Sequence, residues 1–113
     1  MKKIIKQYQE KGSVIIGYAR VSSADNRQEL GLEVQKEALN FCDRLYIEKD
    51  SGGKQERLQL QKALIFAKTC ADQGIKTSFI VYKLDRLTRK MFHLSTIIED
   101  LNNHGIRLQS LHE

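Results

Sequence analysis

The sequence predicts an α/β fold, a three-layer α/β/α arrangement around a mostly parallel sheet of four to five strands. Two observations carry that prediction. Four short apolar runs, residues 14–18, 45–47, 79–82 and 106–111, have the composition and length of strands. The segments between them repeat their apolar residues at helical spacing. Strand alternating with helix requires crossovers, and crossovers cover a parallel sheet on both faces.

Residues 1–12 carry Lys2, Lys3, Lys6 and Lys11 against Glu10, and after the initial Met their apolar residues are Ile4, Ile5 and Tyr8. This segment is expected to be a frayed or weakly helical extension ahead of one domain spanning residues 13–113. The first strand, 14–18, can run on to Ser22. A helix over about 32–43 follows: on a 100° wheel Phe41, Val34, Ala38, Cys42, Leu39 and Leu32 fill one half, and Asp43, Lys36, Asn40, Glu33 and Glu37 the other. Gln35 breaks the pattern by falling in the apolar half. An unpaired amide there would cost about 1–3 kcal/mol, so Gln35 needs either a hydrogen-bond partner in the fold or a ligand to hold. After the strand at 45–47, Leu60, Leu64, Ala67 and Ala71 form a helical stripe that Gly74 is placed to end. After the strand at 79–82, Leu94, Ile97, Ile98 and Leu101 form another, with Gly105 as its stop, and the strand at 106–111 closes the chain.

With 113 residues, 41% of them hydrophobic, the chain suits one domain able to bury a core without a disulfide framework or structural metal. Its apolar runs are too short for a membrane span, and residues 1–12 lack the apolar stretch of a signal peptide, so a cytoplasmic location is expected. Cys42 and Cys70 have no CxxC pairing and His93, His104 and His112 no ligand-like spacing. Two reduced thiols, no metal and no cofactor are therefore expected. The net charge of +5 is modest but uneven, concentrated in residues 1–12 and 82–90, which permits an anionic partner such as nucleic acid without requiring one.

Ligands of open parallel sheets bind at the carboxyl ends of the strands. After the first strand comes Arg20-Val21-Ser22-Ser23. After the second comes Asp50-Ser51-Gly52-Gly53-Lys54-Gln55-Glu56-Arg57, and after the third Lys83-Leu84-Asp85-Arg86-Leu87-Thr88-Arg89-Lys90. If the first strand reaches Ser22, a period of two puts Tyr18, Arg20 and Ser22 on one side. Arg86 and Arg89 share a face if their segment makes a helical turn. A hydroxyl and four guanidiniums, from Arg20, Arg57, Arg86 and Arg89, would then converge. Such a set suits phosphoryl transfer, because planar guanidiniums contact non-bridging phosphate oxygens bidentately and a serine can split the transfer through a covalent intermediate. Asp85 could orient the arginines or shuttle a proton.

Each residue has an ordinary structural reading as well. A strand-end serine is usually a turn residue or helix cap, and Asp85 with Arg86 and Arg89 could be a solvated ion-pair cluster. Gly52-Gly53-Lys54 is not a nucleotide-binding loop, because no Gly lies five residues before Gly53 and no Ser or Thr follows the Lys. Gly17 likewise lacks the partners of a dinucleotide fingerprint. The joint placement favours phosphoryl transfer.

Taken together, Tyr18-Ala19-Arg20-Val21-Ser22, Asp50-Ser51-Gly52, Arg57 and Lys83-Leu84-Asp85-Arg86-Leu87-Thr88-Arg89 resemble the N-terminal catalytic domain of the resolvase/invertase family of serine site-specific recombinases. The similarity covers residues 14–113, with the motifs in the family's order. The resemblance implies that Ser22 is the nucleophile that attacks a DNA phosphodiester to leave a 5′-phosphoserine link and a free 3′-hydroxyl. It implies phosphate-binding and transition-state roles for Arg20, Arg57, Arg86 and Arg89, and active-site roles for Asp85 and Gln35. Tyr18 and Ser51 match positions that support the site. Ser23 is a rival nucleophile by chemistry alone, but motif and strand direction favour Ser22.

The stretch from Ser23 to Gly31 is longer than in compact resolvases. The chain also stops about where the family continues into a long oligomerisation helix and a DNA-reading domain, which are expected to be absent here. The resemblance implies double-stranded DNA as substrate and a homo-oligomer, a dimer that becomes a tetramer in the active full-length complex. It implies no metal, no cofactor and no membrane. The alternative is a catalytically inactive recombinase-like module that binds DNA or dimerises without cutting.

Overall fold

The computed structural model describes residues 2–22, 31–50, 57–87 and 91–112, with the backbone alone for Lys2, Ser22, Asp50 and Arg86. In chain order its elements are α1 (Lys2–Lys11), β1 (Ser13–Ser22), α2 (Leu32–Ala38), β2 (Arg44–Asp50), α3 (Leu58–Asp72), β3 (Lys76–Val81), α4 (Leu84–Leu87), α5 (Met91–Asn103) and β4 (Arg107–Ser110). The strands form one parallel sheet in the order β2-β1-β3-β4.

Alternation along the strands sends side chains to two apolar layers. On one face Val14, Ile16 and Tyr18 of β1 and Phe79 and Val81 of β3 pack with Leu60, Ala63, Phe66, Ala67 and Cys70 of α3 and Leu101 of α5. On the other, Ala19 and Ile80 pack with Leu39, bordered by Ile15, Cys42, Leu45 and Ile47. The expected three-layer α/β/α arrangement is what the chain adopts. Gly74 and Gly105 follow α3 and α5 with φ of +80° and +73°, the left-handed stops their positions implied.

Two elements differ from expectation. Residues 2–11 form a docked helix. Ile4, Ile5 and Tyr8 fall on one face, Ile5 and Tyr8 are buried, and the Tyr8 ring meets Phe66 edge-on with centroids 6.2 Å apart. Lys11 ties the end of α1 to Asp43 at 2.8 Å. A ten-residue helix is marginal alone, so its order comes from this docking, which sequence periodicity cannot register. The second helix also ends earlier, at Ala38. Asp43 is drawn to β1, where its N–H donates to the Ile15 carbonyl at 2.8 Å and its carboxylate accepts from the Ile15 N–H at 2.7 Å. The chain must turn to reach that position, leaving Phe41 half exposed instead of on the apolar face.

The order β2-β1-β3 means that the chain leaves β1 to one side and returns to the other. β1 pairs with β3 only as far as Tyr18 opposite Val81, but stays paired with β2 to Ser22 opposite Asp50. The strands part at their carboxyl ends, at the kind of switch point where open sheets form ligand crevices.

Candidate active site at the strand carboxyl ends

β1 reaches Ser22, so the longer of the two strand lengths is the one formed. Its end carries Arg20 and Ser22, the end of β2 carries Glu48 and Asp50, and α4 follows β3 with Asp85 and Arg86 in its single turn. Arg57 stands at the start of α3. Ser23, Ser51 and Arg89 lie outside the described residues, as do the side chains of Ser22 and Arg86.

Arg57 joins three elements. Its guanidinium donates to the Leu87 carbonyl at the end of α4 and to the Tyr18 hydroxyl of β1, the latter at 3.4 Å. Its backbone has φ +46° and ψ +45°, the left-handed region, which non-glycine residues seldom occupy. Conformations of this kind persist where surrounding contacts hold them and concentrate at functional sites.

Tyr18 lies beneath Arg57, fully buried. Its hydroxyl donates to a Glu48 carboxylate oxygen at 3.3 Å. Burial pushes the phenol up to about 12 despite the opposing pull of Arg57. A buried neutral phenol is a poor nucleophile.

Gln35 is fully buried on α2, and its position in the apolar half of the wheel is resolved by a partner in the fold. Its Oε1 accepts from the Arg20 N–H at 3.1 Å and its Nε2 donates to the Arg20 carbonyl at 2.9 Å. The structure thus joins two predicted residues, Arg20 and Gln35, at the end of β1, and two others, Tyr18 and Arg57, just below it. Asp85 is exposed on α4.

Sequence reading missed Glu48. This buried carboxylate accepts from Tyr18 and also from the Leu60 N–H at 3.1 Å. Leu60 is the third residue of α3, so its N–H is one of the donors a helix start leaves without an intrahelical partner. The residue at the helix cap, Arg57, makes no side-chain cap bond. Glu48 supplies the missing acceptor from the neighbouring strand, and its negative charge suits the positive end of the helix. A signal was present: a period of two places Glu48 on the same inward side as Tyr46.

The chain matches the family described as "Resolvase, N terminal domain" over residues 15–113. It is 36% identical over 98 residues to the transposon Tn552 DNA-invertase BinR of Staphylococcus aureus, covering 87% of this chain and 47% of that protein. It is 39% identical over 100 residues to a DNA-invertase of Escherichia phage P1, covering 87% and 48%. The chain therefore spans about half the length of these relatives. Its fold is similar to the crystal structure of the N-terminal catalytic domain of TP901-1 integrase, with a TM-score of 0.64 and 23% identity, over 86% of this chain and 75% of that one. With the family's fold formed and its profile matched over nearly the whole sequence, the chain belongs to the resolvase family of serine recombinase catalytic domains.

Proposed function

We propose that this chain cleaves and rejoins double-stranded DNA through a covalent 5′-phosphoserine intermediate at Ser22. The observation that carries the reading is the arrangement around Arg57: a left-handed arginine held by Tyr18 and by the end of α4, beside the strand that ends on Ser22. Relatives named DNA-invertase and resolvase support the reaction class.

The Ser22 Oγ attacks phosphorus. The Oγ–P bond forms, the P–O3′ bond breaks, and the hydroxyl proton ends on the departing 3′-oxygen. Arg20, Arg57, Arg86 and Arg89 hold the non-bridging oxygens as charge builds on them, which lets the step proceed without a metal. Gln35 and Asp85 belong to the same site. The link conserves the energy of the broken phosphodiester, so attack by a 3′-hydroxyl reverses it with no nucleotide cofactor. Complete recombination requires assembly of dimers into a tetramer on two DNA sites, in the cytoplasm.

Trapping the cleaved complex and mapping the adduct by mass spectrometry tests this. A phosphoserine at Ser22, lost in Ser22→Ala and subject to β-elimination in base, is expected. An adduct elsewhere, or undiminished cleavage by Ser22→Ala, overturns it. DNA binding with no adduct under trapping conditions would instead favour the inactive module.

A further inference from the structure

β1 outlasts its partner on one side. Among the described residues the edge of β1 that faced β3 has no strand pairing beyond Tyr18 opposite Val81, yet β1 runs on through Arg20 to Ser22 against β2. An extended residue points its N–H and C=O to the same edge, and in the interior both need partners. At Arg20 both are met by one side chain, with Gln35 Oε1 accepting at 3.1 Å and Nε2 donating at 2.9 Å. A carboxamide offers the acceptor and donor that a neighbouring strand would offer.

We infer that Gln35 is a positioning residue that stands in for β3 and keeps the Arg20 rung near the end of β1 in strand geometry. Arg20 and Ser22 thereby hold the alternation that sets where each can meet a phosphate. The inference rests on the reading of Ser22 as nucleophile and deepens it, by giving Gln35 the protein main chain as its partner. The geometry favours control of alignment. Gln35 is fully buried in the middle of α2, its own carbonyl accepts from the Leu39 N–H at 2.9 Å, and both ends of its amide meet Arg20, two residues before Ser22. Small displacements of a reacting group cost rate heavily, about 100-fold for 1 Å.

Hydrogen exchange of the Arg20 amide and single-turnover adduct formation on mixed-sequence duplexes with 3′-bridging phosphorothiolates test this in the 113-residue chain. In Gln35→Met, Arg20 amide protection should fall at least about tenfold while that of Ile16, deeper in β1, holds. The limiting rate should drop about 100-fold with the half-saturating DNA concentration little changed. Gln35→Glu is the control that keeps the shape and covers the case in which Gln35→Met fails to fold. Its protonated carboxyl can both accept from and donate to Arg20, whereas its carboxylate still accepts from the N–H but sets a bare oxygen against the Arg20 carbonyl, so protection, referred to the intrinsic exchange rate, should be near wild type in acid and fall once the carboxyl ionises.

Unchanged Arg20 protection in Gln35→Met, or no response of Gln35→Glu to ionisation, overturns the inference. So does a wild-type limiting rate, or a rise in half-saturating DNA concentration that accounts for the loss, since Gln35 would then be touching DNA. Absence of a Ser22 adduct from the wild-type chain counts against the proposed function alone, and the exchange data then decide the strand-end clamp.

Discussion

The Arg57 guanidinium meets the Tyr18 hydroxyl at 3.4 Å from a backbone that is itself left-handed, so one arginine carries both a contact and a conformational cost. Replacing it separates the two. Arg57→Ala loses the bonds to Tyr18 and Leu87 and keeps the unfavourable φ, whereas Arg57→Gly loses the same bonds and relieves it. Arg57→Gly should unfold at higher denaturant than Arg57→Ala, by about 1 kcal/mol. Both should abolish DNA cleavage. Equal stabilities would mean that the left-handed backbone is not being held against its preference.

Tyr18 should stay neutral far into base. Its phenol is raised from the ordinary 10.0 to about 12, chiefly by burial. A raised acid means that the fold prefers the protonated form. That contribution to stability is complete below about pH 10 and is lost as pH rises through about 12. The tyrosinate absorbance present in wild type and missing from Tyr18→Phe should develop only near the upper value. At neutral pH, Tyr18→Phe should cost about 1–2 kcal/mol by thermal melting.

Glu48 should matter more than its surroundings in the sequence suggest. Glu48→Ala removes the acceptor of both Tyr18 and Leu60 in a buried setting, with an expected loss of about 2–3 kcal/mol in chemical denaturation. Glu48→Gln keeps an acceptor and should lose less. Hydrogen exchange should show faster opening of the first turn of α3 in Glu48→Ala. If that turn is unaffected, Glu48 is not its cap.

The docking of α1 should weaken in acid. Burial works against charge on Asp43, but the Lys11 ammonium and the Ile15 N–H outweigh it and hold the carboxyl below its ordinary value. A lowered acid contributes stability above its unfolded value, and that contribution is lost as pH falls through the folded one. Lys11 is raised by the same pair, so its contribution is present through neutral pH and is lost only as pH rises through the folded lysine value. The melting-temperature gap between wild type and Asp43→Asn should be present at neutral pH and close in acid. Tyr8→Ala should cost about 3 kcal/mol by thermal melting, because it removes the ring packed on Phe66.

Much of the fold was legible because its signals are local. The apolar runs of β1 and β3, the stripes of α3 and α5 and the stops at Gly74 and Gly105 each depend on residues within a few positions of one another. The second helix was overdrawn to Asp43 because a wheel cannot know that Asp43 is wanted by Ile15, 28 residues earlier. In the site, Gln35 announced itself as a polar residue on an apolar face, and the motif around Arg20 and Ser22 announced the family. Glu48 gave only the weak signal of its alternation with Tyr46.

By itself, the sequence determined the α/β class, the membership in a recombinase family and the residue types available for phosphoryl transfer. These follow from periodicity and from motifs read along one stretch of chain. Only the tertiary structure decided that α1 docks, that Arg57 is held left-handed between β1 and α4, that Glu48 caps a helix from a strand, and that Gln35 closes the edge β3 leaves open. Each of these pairs groups far apart in sequence. A buried donor or acceptor must be satisfied by whatever folding brings beside it, and residue spacing carries no record of that neighbour.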